Sequence, residues 1–256
     1  MNNYEKLEGM VAATFTPLDE NGDVNLSVID KYADWIASTP IKGVFVCGTT
    51  GEFSSLAIDE RKLILEKWLV SARKRFKVIA HVGSNCQRSA MELARHAAQV
   101  GADAIASIAP SFFKPGTVDE LVDFFAPICH SAAGLPFYYY NMPSITGVNL
   151  PVDKFLVEGK KKIPNLVGTK FTHNNLMEMG VCIELEQHRF EVLHGYDEIL
   201  ISGLAMGAVA GVGSTYNYIP NVYQAIFDSM KMNDLETARH NQIKSIRTVE
   251  VIIKYG

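Results

Sequence analysis

Apolar residues fall into two alternating patterns along this chain. Short, nearly continuous runs occupy residues 11–15, 43–47, 78–82, 103–107, 136–140, 166–171, 191–194 and 208–212. Runs of that length read as strands buried on both faces, as a parallel sheet requires. Between them apolar positions recur every three or four residues, the mark of amphipathic helices. Val28, Ile29, Tyr32, Trp35 and Ile36 share one such face. Residues 59–73 open on acids and close on bases, in line with the helix dipole. Residues 89–100 stop at Gly101, suited to a left-handed C′ position. Thr117 and Glu120 predict a capping box ahead of Leu121, Phe124, Phe125 and Ile128. Further helices are predicted over 152–157, over 175–187, from near Tyr196, and from 221 onward.

Eight strand-then-helix units in 256 residues favour one TIM (β/α)8 barrel over an open doubly wound sheet. The predicted organisation is a single barrel domain over 1–256, with 221–256 as a helical C-terminal segment. In that segment Ala238, Ile243, Ile246, Val249 and Ile253 form an apolar set that would seek a covering partner.

Composition narrows the function classes. Hydrophobic residues make up 48% and charged residues 20%, which fits a globular domain and not a disordered chain. A net charge of −4 without a basic cluster argues against nucleic acid as a partner. No apolar run reaches the length of a membrane span, and acids stand early in the N-terminus where a secretory leader would be apolar. Cys47, Cys86, Cys129 and Cys182 form no C-x-x-C pair. The expectation is a cytoplasmic protein in a reducing compartment. The histidines show no H-x-H or H-E-x-x-H spacing, so a histidine metal site is not expected.

Lys170 stands out, because the strand it occupies otherwise reads as fully buried. One reading is a strand-end lysine that snorkels to water or pairs with an acid. The other is an amine neutralised by burial, a nucleophile toward carbonyl carbon. In a TIM barrel the active site lies where strands end, so the loops matter next. After the second strand, Gly48-Thr49-Thr50-Gly51-Glu52 is either a plain turn or a cradle of hydroxyl and N–H donors for an anion. On the fifth strand Tyr138 and Tyr140 share one side and Tyr139 the other. Tyr140 is a proton shuttle if it faces the interior, and packing otherwise. Thr172 lies on the side of Lys170. Asp197 and Glu198 after the seventh strand suit a helix N-terminus or the hydroxyls of a polyol. Gly211 to Asn217 after the eighth strand leaves a phosphate loop open as a rival.

Three of these segments, Gly48-Thr-Thr-Gly-Glu52, Tyr140-Asn-x-Pro-x-x-x-Gly147 and Lys170-x-Thr172, together resemble the class I aldolase family that includes dihydrodipicolinate synthase and N-acetylneuraminate lyase. The resemblance runs from about Leu7 to the end. It implies a TIM barrel, usually a homotetramer, with a C-terminal helical extension that is truncated here relative to the family. It also implies a lysine imine with pyruvate or a 2-keto acid, and no cofactor or metal. Ala109 to Pro115, Phe137 to Asn141, Gly195 to Glu198 and Gly213 to Asn217 look most like the branch that cleaves sialic acid to N-acetylmannosamine and pyruvate. In the synthases an arginine stands where this chain has Ile145, which cannot grip a carboxylate bidentately.

Carried over residue by residue, the resemblance makes Lys170 and Tyr140 catalytic. It makes Thr49, Thr50, Thr172, Gly195, Asp197, Glu198 and Ser214 substrate-binding. Phe112 and Phe113 lie in a loop where family members often complete a neighbour's site. Two rivals remain: another pyruvate-dependent aldolase, acting on a 2-keto-3-deoxy sugar acid or on aspartate semialdehyde, and a non-catalytic ligand-binding barrel. A phospho-sugar isomerase fits worst, because its catalytic carboxylate would stand where Lys170 is.

Overall fold

A computed structural model describes residues 4–255. Residues 1–3, part of the N-terminal stretch considered above, and residue 256, the end of the expected domain, lie outside it. Eight parallel strands follow one another around a closed barrel. They are β1 (Gly9–Ala13), β2 (Gly43–Val46), β3 (Lys77–His81), β4 (Ala104–Ile108), β5 (Phe137–Asn141), β6 (Leu166–Phe171), β7 (Glu191–His194) and β8 (Ala210–Gly213). Pairing of β1 with β8 completes the closure, and helices form the outer ring.

Strand alternation sorts side chains into two cores. Val11, Phe45, Ile79, Ala106, Tyr138, Tyr140, Leu193 and Val212 point into the barrel. Tyr139 points outward and packs on Phe125 and Phe155, with ring centroids 5.5 and 4.6 Å away. At the N-terminal end, the Glu191 carboxylate accepts hydrogen bonds from Leu7 N–H and the Tyr138 hydroxyl, both at 2.9 Å. That end is closed by structure, as barrel bottoms usually are.

Several boundaries move for local reasons. β1 starts at Gly9, two residues earlier than predicted, and its register matches Val11 with Gly43. β8 starts at Ala210, because Ala208 N–H still bonds back to Gly203 O at 3.1 Å. Helix Val28–Ala37 buries Ile29, Ala33 and Ile36, whereas Val28 and Trp35 are exposed. Helix Ile58–Ala72 ends in left-handed backbone at Arg73, so the bases expected in its last turn lie beyond it. Helix Gln87–Val100 stops at Gly101 with φ 83°, as predicted. Thr117 caps Glu120 N–H at 3.2 Å, but the Glu120 carboxylate takes Gly116 N–H at 2.7 Å, one residue earlier than a capping box requires. Helix Val152–Lys162 outruns its predicted end, and Leu176–Glu184 falls short of it. The short helix Pro143–Thr146 has no counterpart in the sequence reading.

The final helix, Leu235–Tyr255, packs on the barrel through residues outside most of its apolar set. It lays a largely polar face on the barrel, burying Asn241, Gln242 and Ser245 beside Ala238. Ile243 and Ile253 of the apolar set are exposed instead. Among the described residues no helix is long and apolar enough to cross a membrane.

Candidate active site

All nine residues singled out by sequence meet in one pocket of about 210 Å³ at the C-terminal mouth of the barrel. Thr49 and Thr50 follow β2, Tyr140 is on β5, Lys170 is on β6 and Thr172 just follows it. Gly195, Asp197 and Glu198 follow β7, and Ser214 follows β8. A β-bulge sets the key pair. The register between β5 and β6 shifts after Phe137, so Tyr138 pairs with Gly168 and Tyr140 with Lys170. Without the extra residue, Tyr140 would stand level with Thr169, whose side chain leaves the barrel.

Lys170 is 5% exposed, and its Nζ lies 4.1 Å from the Tyr140 ring centroid and 4.6 Å from that of Phe45. Aromatic faces, not a carboxylate, form the immediate wall around the amine. The snorkelling alternative therefore fails, because the side chain ends inside the pocket. The Tyr140 hydroxyl is 3.1 Å from Thr49 Oγ1 and 3.0 Å from Met142 Sδ. One phenol thus links the lysine to the turn after β2.

That turn is built on left-handed backbone at Cys47 (φ 54°) and Glu52 (φ 56°). Its first carbonyl, Cys47 O, is held by His81 Nδ1 at 2.7 Å. Burial, then the nearby Arg61 charge, keeps the His81 imidazole well below its ordinary pKa, so it is neutral and donates from Nδ1. Arg61, itself buried, donates to His81 O at 2.7 Å and Gly83 O at 2.9 Å. A rigid support thus stands behind Thr49 and Thr50.

The opposite wall is acidic. Asp197 is buried, and its Oδ2 accepts from Thr215 N–H at 2.8 Å and from the Thr215 hydroxyl at 2.6 Å. Its Oδ1 has no protein partner, and neither does the buried Thr172 Oγ1. Burial pushes the Asp197 carboxyl up to about 6, Glu198 adds to this, and the Thr215 donors and Lys170 pull the other way. Two glycines make room here. A Cβ on Gly213 would overlap the Asp197 carboxylate, and one on Gly195 would overlap Thr172 Oγ1. Leaving two buried polar atoms bare is costly in a folded protein unless a ligand satisfies them.

Met142, Thr215, Val249 and Ile252 also line the pocket but were missed by the sequence reading. Thr215 stands in the Gly213–Asn217 segment, where its hydroxyl could have flagged it. Nothing local marks Val249 or Ile252, which reach the mouth only because the last helix folds back over it. Ile145 is 55% exposed and does not line the pocket. Phe112 and Phe113 stack edge to face on an exposed loop, 5.0 Å apart. Among the described residues no group of three or more His, Cys, Asp or Glu could hold a metal ion.

A closed (β/α)8 barrel that presents a lysine amine at its mouth defines an aldolase-type TIM barrel. The chain belongs to the dihydrodipicolinate synthetase family, whose model matches residues 6–255. It is 42% identical over 255 residues to a mouse protein named N-acetylneuraminate lyase, covering 98% of this chain and 80% of the relative. Among solved structures, an N-acetylneuraminate lyase from Proteus mirabilis superposes with a TM-score of 0.96 at 36% identity, covering 98% of this chain and 85% of that one. A sialic acid aldolase from Aliivibrio salmonicida gives the same TM-score at 37% identity, over 98% of this chain and 84% of its own.

Proposed function

We infer that this chain is a carbon–carbon lyase that reversibly cleaves N-acetylneuraminate to N-acetylmannosamine and pyruvate through a Schiff base on Lys170. The observation that carries the reading is a buried amine, walled by two aromatic rings, in a pocket whose lining residues Thr172 and Asp197 each hold a buried oxygen without a protein partner. The names of the relatives support the same substrate.

The amine of Lys170 adds to the C2 ketone of the open-chain sugar acid, and water leaves to give a protonated imine. Removal of the C4 hydroxyl proton lets the C3–C4 bond break, with its electron pair passing into an enamine. N-acetylmannosamine departs as the aldehyde. A proton then returns to C3, and water hydrolyses the imine to release pyruvate. Tyr140 is the proton carrier, since its ring lies against the amine and its hydroxyl meets Thr49 Oγ1 in the same pocket. Hydroxyl and N–H donors at Thr49 and Thr50 hold the substrate carboxylate. Thr172 serves the C4 hydroxyl, while Gly195, Asp197, Glu198 and Ser214 contact the polyol. A homotetramer in the cytoplasm belongs to this proposal as well, and light scattering of the purified protein tests the assembly.

Product analysis after incubation with N-acetylneuraminate, beside pyruvate plus borohydride, tests the reading. N-acetylmannosamine and pyruvate should form, and a stable adduct should map to Lys170. An unmodified Lys170 removes the imine mechanism. Turnover of another keto sugar acid alone moves the enzyme to a different substrate.

A further inference from the structure

From Thr215 at the pocket wall, a chain of hydroxyls that the reaction does not call for runs behind Asp197 and away from the pocket. The Thr215 hydroxyl donates to Asp197 Oδ2 at 2.6 Å, since a carboxylate can only accept. Its remaining capacity is therefore to accept, and the Tyr223 hydroxyl sits against it. Tyr223 in turn lies 2.8 Å from Ser245 Oγ on the final helix. Ser245 Oγ also lies 3.2 Å from Asp197 O, a carbonyl that Gln242 Nε2 reaches at 3.0 Å. Because the one proton of Tyr223 goes to Thr215, the shorter Tyr223 contact takes the Ser245 proton. Every O–H in the series then points toward the carboxylate. The result at the pocket is asymmetric: Oδ2 is saturated, while Oδ1 is bare.

We propose that Tyr223, outside the pocket, is a positioning residue for sugar recognition: through Thr215 it orients Asp197 so that Oδ1 is kept as an acceptor for a ligand hydroxyl. This rests on the reading of Asp197 as a contact to the polyol. It gives the last helix a role in specificity, because Ser245 and Gln242 anchor the far end of the series. Chains of hydrogen bonds polarise one another in a low-dielectric interior, so losing the far hydroxyl weakens the donor that touches Oδ2. The charged and titratable groups facing Asp197 are Glu198 on its own turn, Lys170 on β6, and Tyr216 and Tyr223 from the segment after β8. Tyr216 and Tyr223 are held neutral by burial, so Tyr223 acts by hydrogen bonding and not by charge.

Tyr223→Phe removes only the hydroxyl, and steady-state kinetics over pH reads the effect. KM for N-acetylneuraminate should rise about 3- to 10-fold with kcat within about 2-fold, the scale of one weakened hydrogen bond to a charged group. The acidic limb of kcat/KM should move to higher pH, because a carboxylate with a poorer donor is easier to protonate. The rate of pyruvate trapping by borohydride should stay unchanged. Thr215→Val should shift the limb in the same direction and at least as far, whereas Thr215→Ser should leave it near wild type. Should Tyr223→Phe fold poorly, that Thr215 pair decides the matter. An unmoved acidic limb in both Tyr223→Phe and Thr215→Val, or equal losses for sugar cleavage and pyruvate trapping, overturns the proposal. If wild type itself forms no adduct with pyruvate, the imine reading fails instead, so the two failures are distinct.

Discussion

Replacing Asp197 with Asn should make the protein more stable relative to wild type as the pH rises, while weakening its hold on a sugar acid. Burial lifts the Asp197 carboxyl from its ordinary 3.8 to about 6. An acid whose folded pKa exceeds its unfolded value holds an extra proton in the folded state between the two. Stability therefore falls as pH rises through that window and stays lower above it. Two pH units at about 1.4 kcal/mol each put the cost on the order of 3 kcal/mol above pH 6. Asn never ionises, so it escapes this cost. It keeps an oxygen for the two Thr215 donors but places an NH2 where Oδ1 has no partner, a penalty of about 1–3 kcal/mol at every pH. The sign at any one pH is therefore a balance, and the pH dependence of the difference is the signature. At about 2–4 °C per kcal/mol for a domain of this size, variant minus wild-type Tm should climb by roughly 6–12 °C between about pH 4 and pH 8. Calorimetry at three or four pH values measures it. A difference that stays flat across that range would refute the claim that Asp197 is an ionised, desolvated carboxylate in the folded protein at neutral pH.

Tyr140→Phe should cut kcat by about 10²- to 10⁴-fold yet still trap pyruvate at Lys170, and near-normal turnover would clear the phenol of proton transfer. Gly213→Ala forces a methyl into the Asp197 carboxylate. It should raise KM for the sugar acid at a stability cost of about 1–3 kcal/mol, with pyruvate trapping intact; an equal loss of both would show general collapse of the barrel mouth. Thr172→Val keeps the shape of a buried hydroxyl that has no protein partner. Its Tm should hold or rise, because an unsatisfied polar group is removed, while cleavage of the sugar acid slows about tenfold or more. A variant as active as wild type would take Thr172 out of the reaction.

The hydrophobic pattern by itself determined the architecture: eight buried runs spaced by amphipathic stretches leave a closed parallel barrel as the simplest way to cover both strand faces. It also put Tyr138 and Tyr140 on one side and Tyr139 on the other, because side chains alternate along any strand, while the fold decided that the pair faces inward. Residue type marked Lys170 and the threonine and acidic loops, since a cation in a buried strand needs an explanation. What no local pattern carries is contact between elements distant in sequence. The extra residue between β5 and β6 decides that Tyr140 lies beside Lys170, and a bulge leaves no mark on hydrophobic periodicity. The apolar set of the last helix was legible in the sequence, but not that its polar stripe docks on Asp197 while Val249 and Ile252 turn to the pocket. The bare oxygen of Asp197 likewise exists only because Gly213, Thr215 and Tyr223 are brought around it in space. Spacing along a chain reports which face a side chain takes; only the assembled fold decides what it meets there.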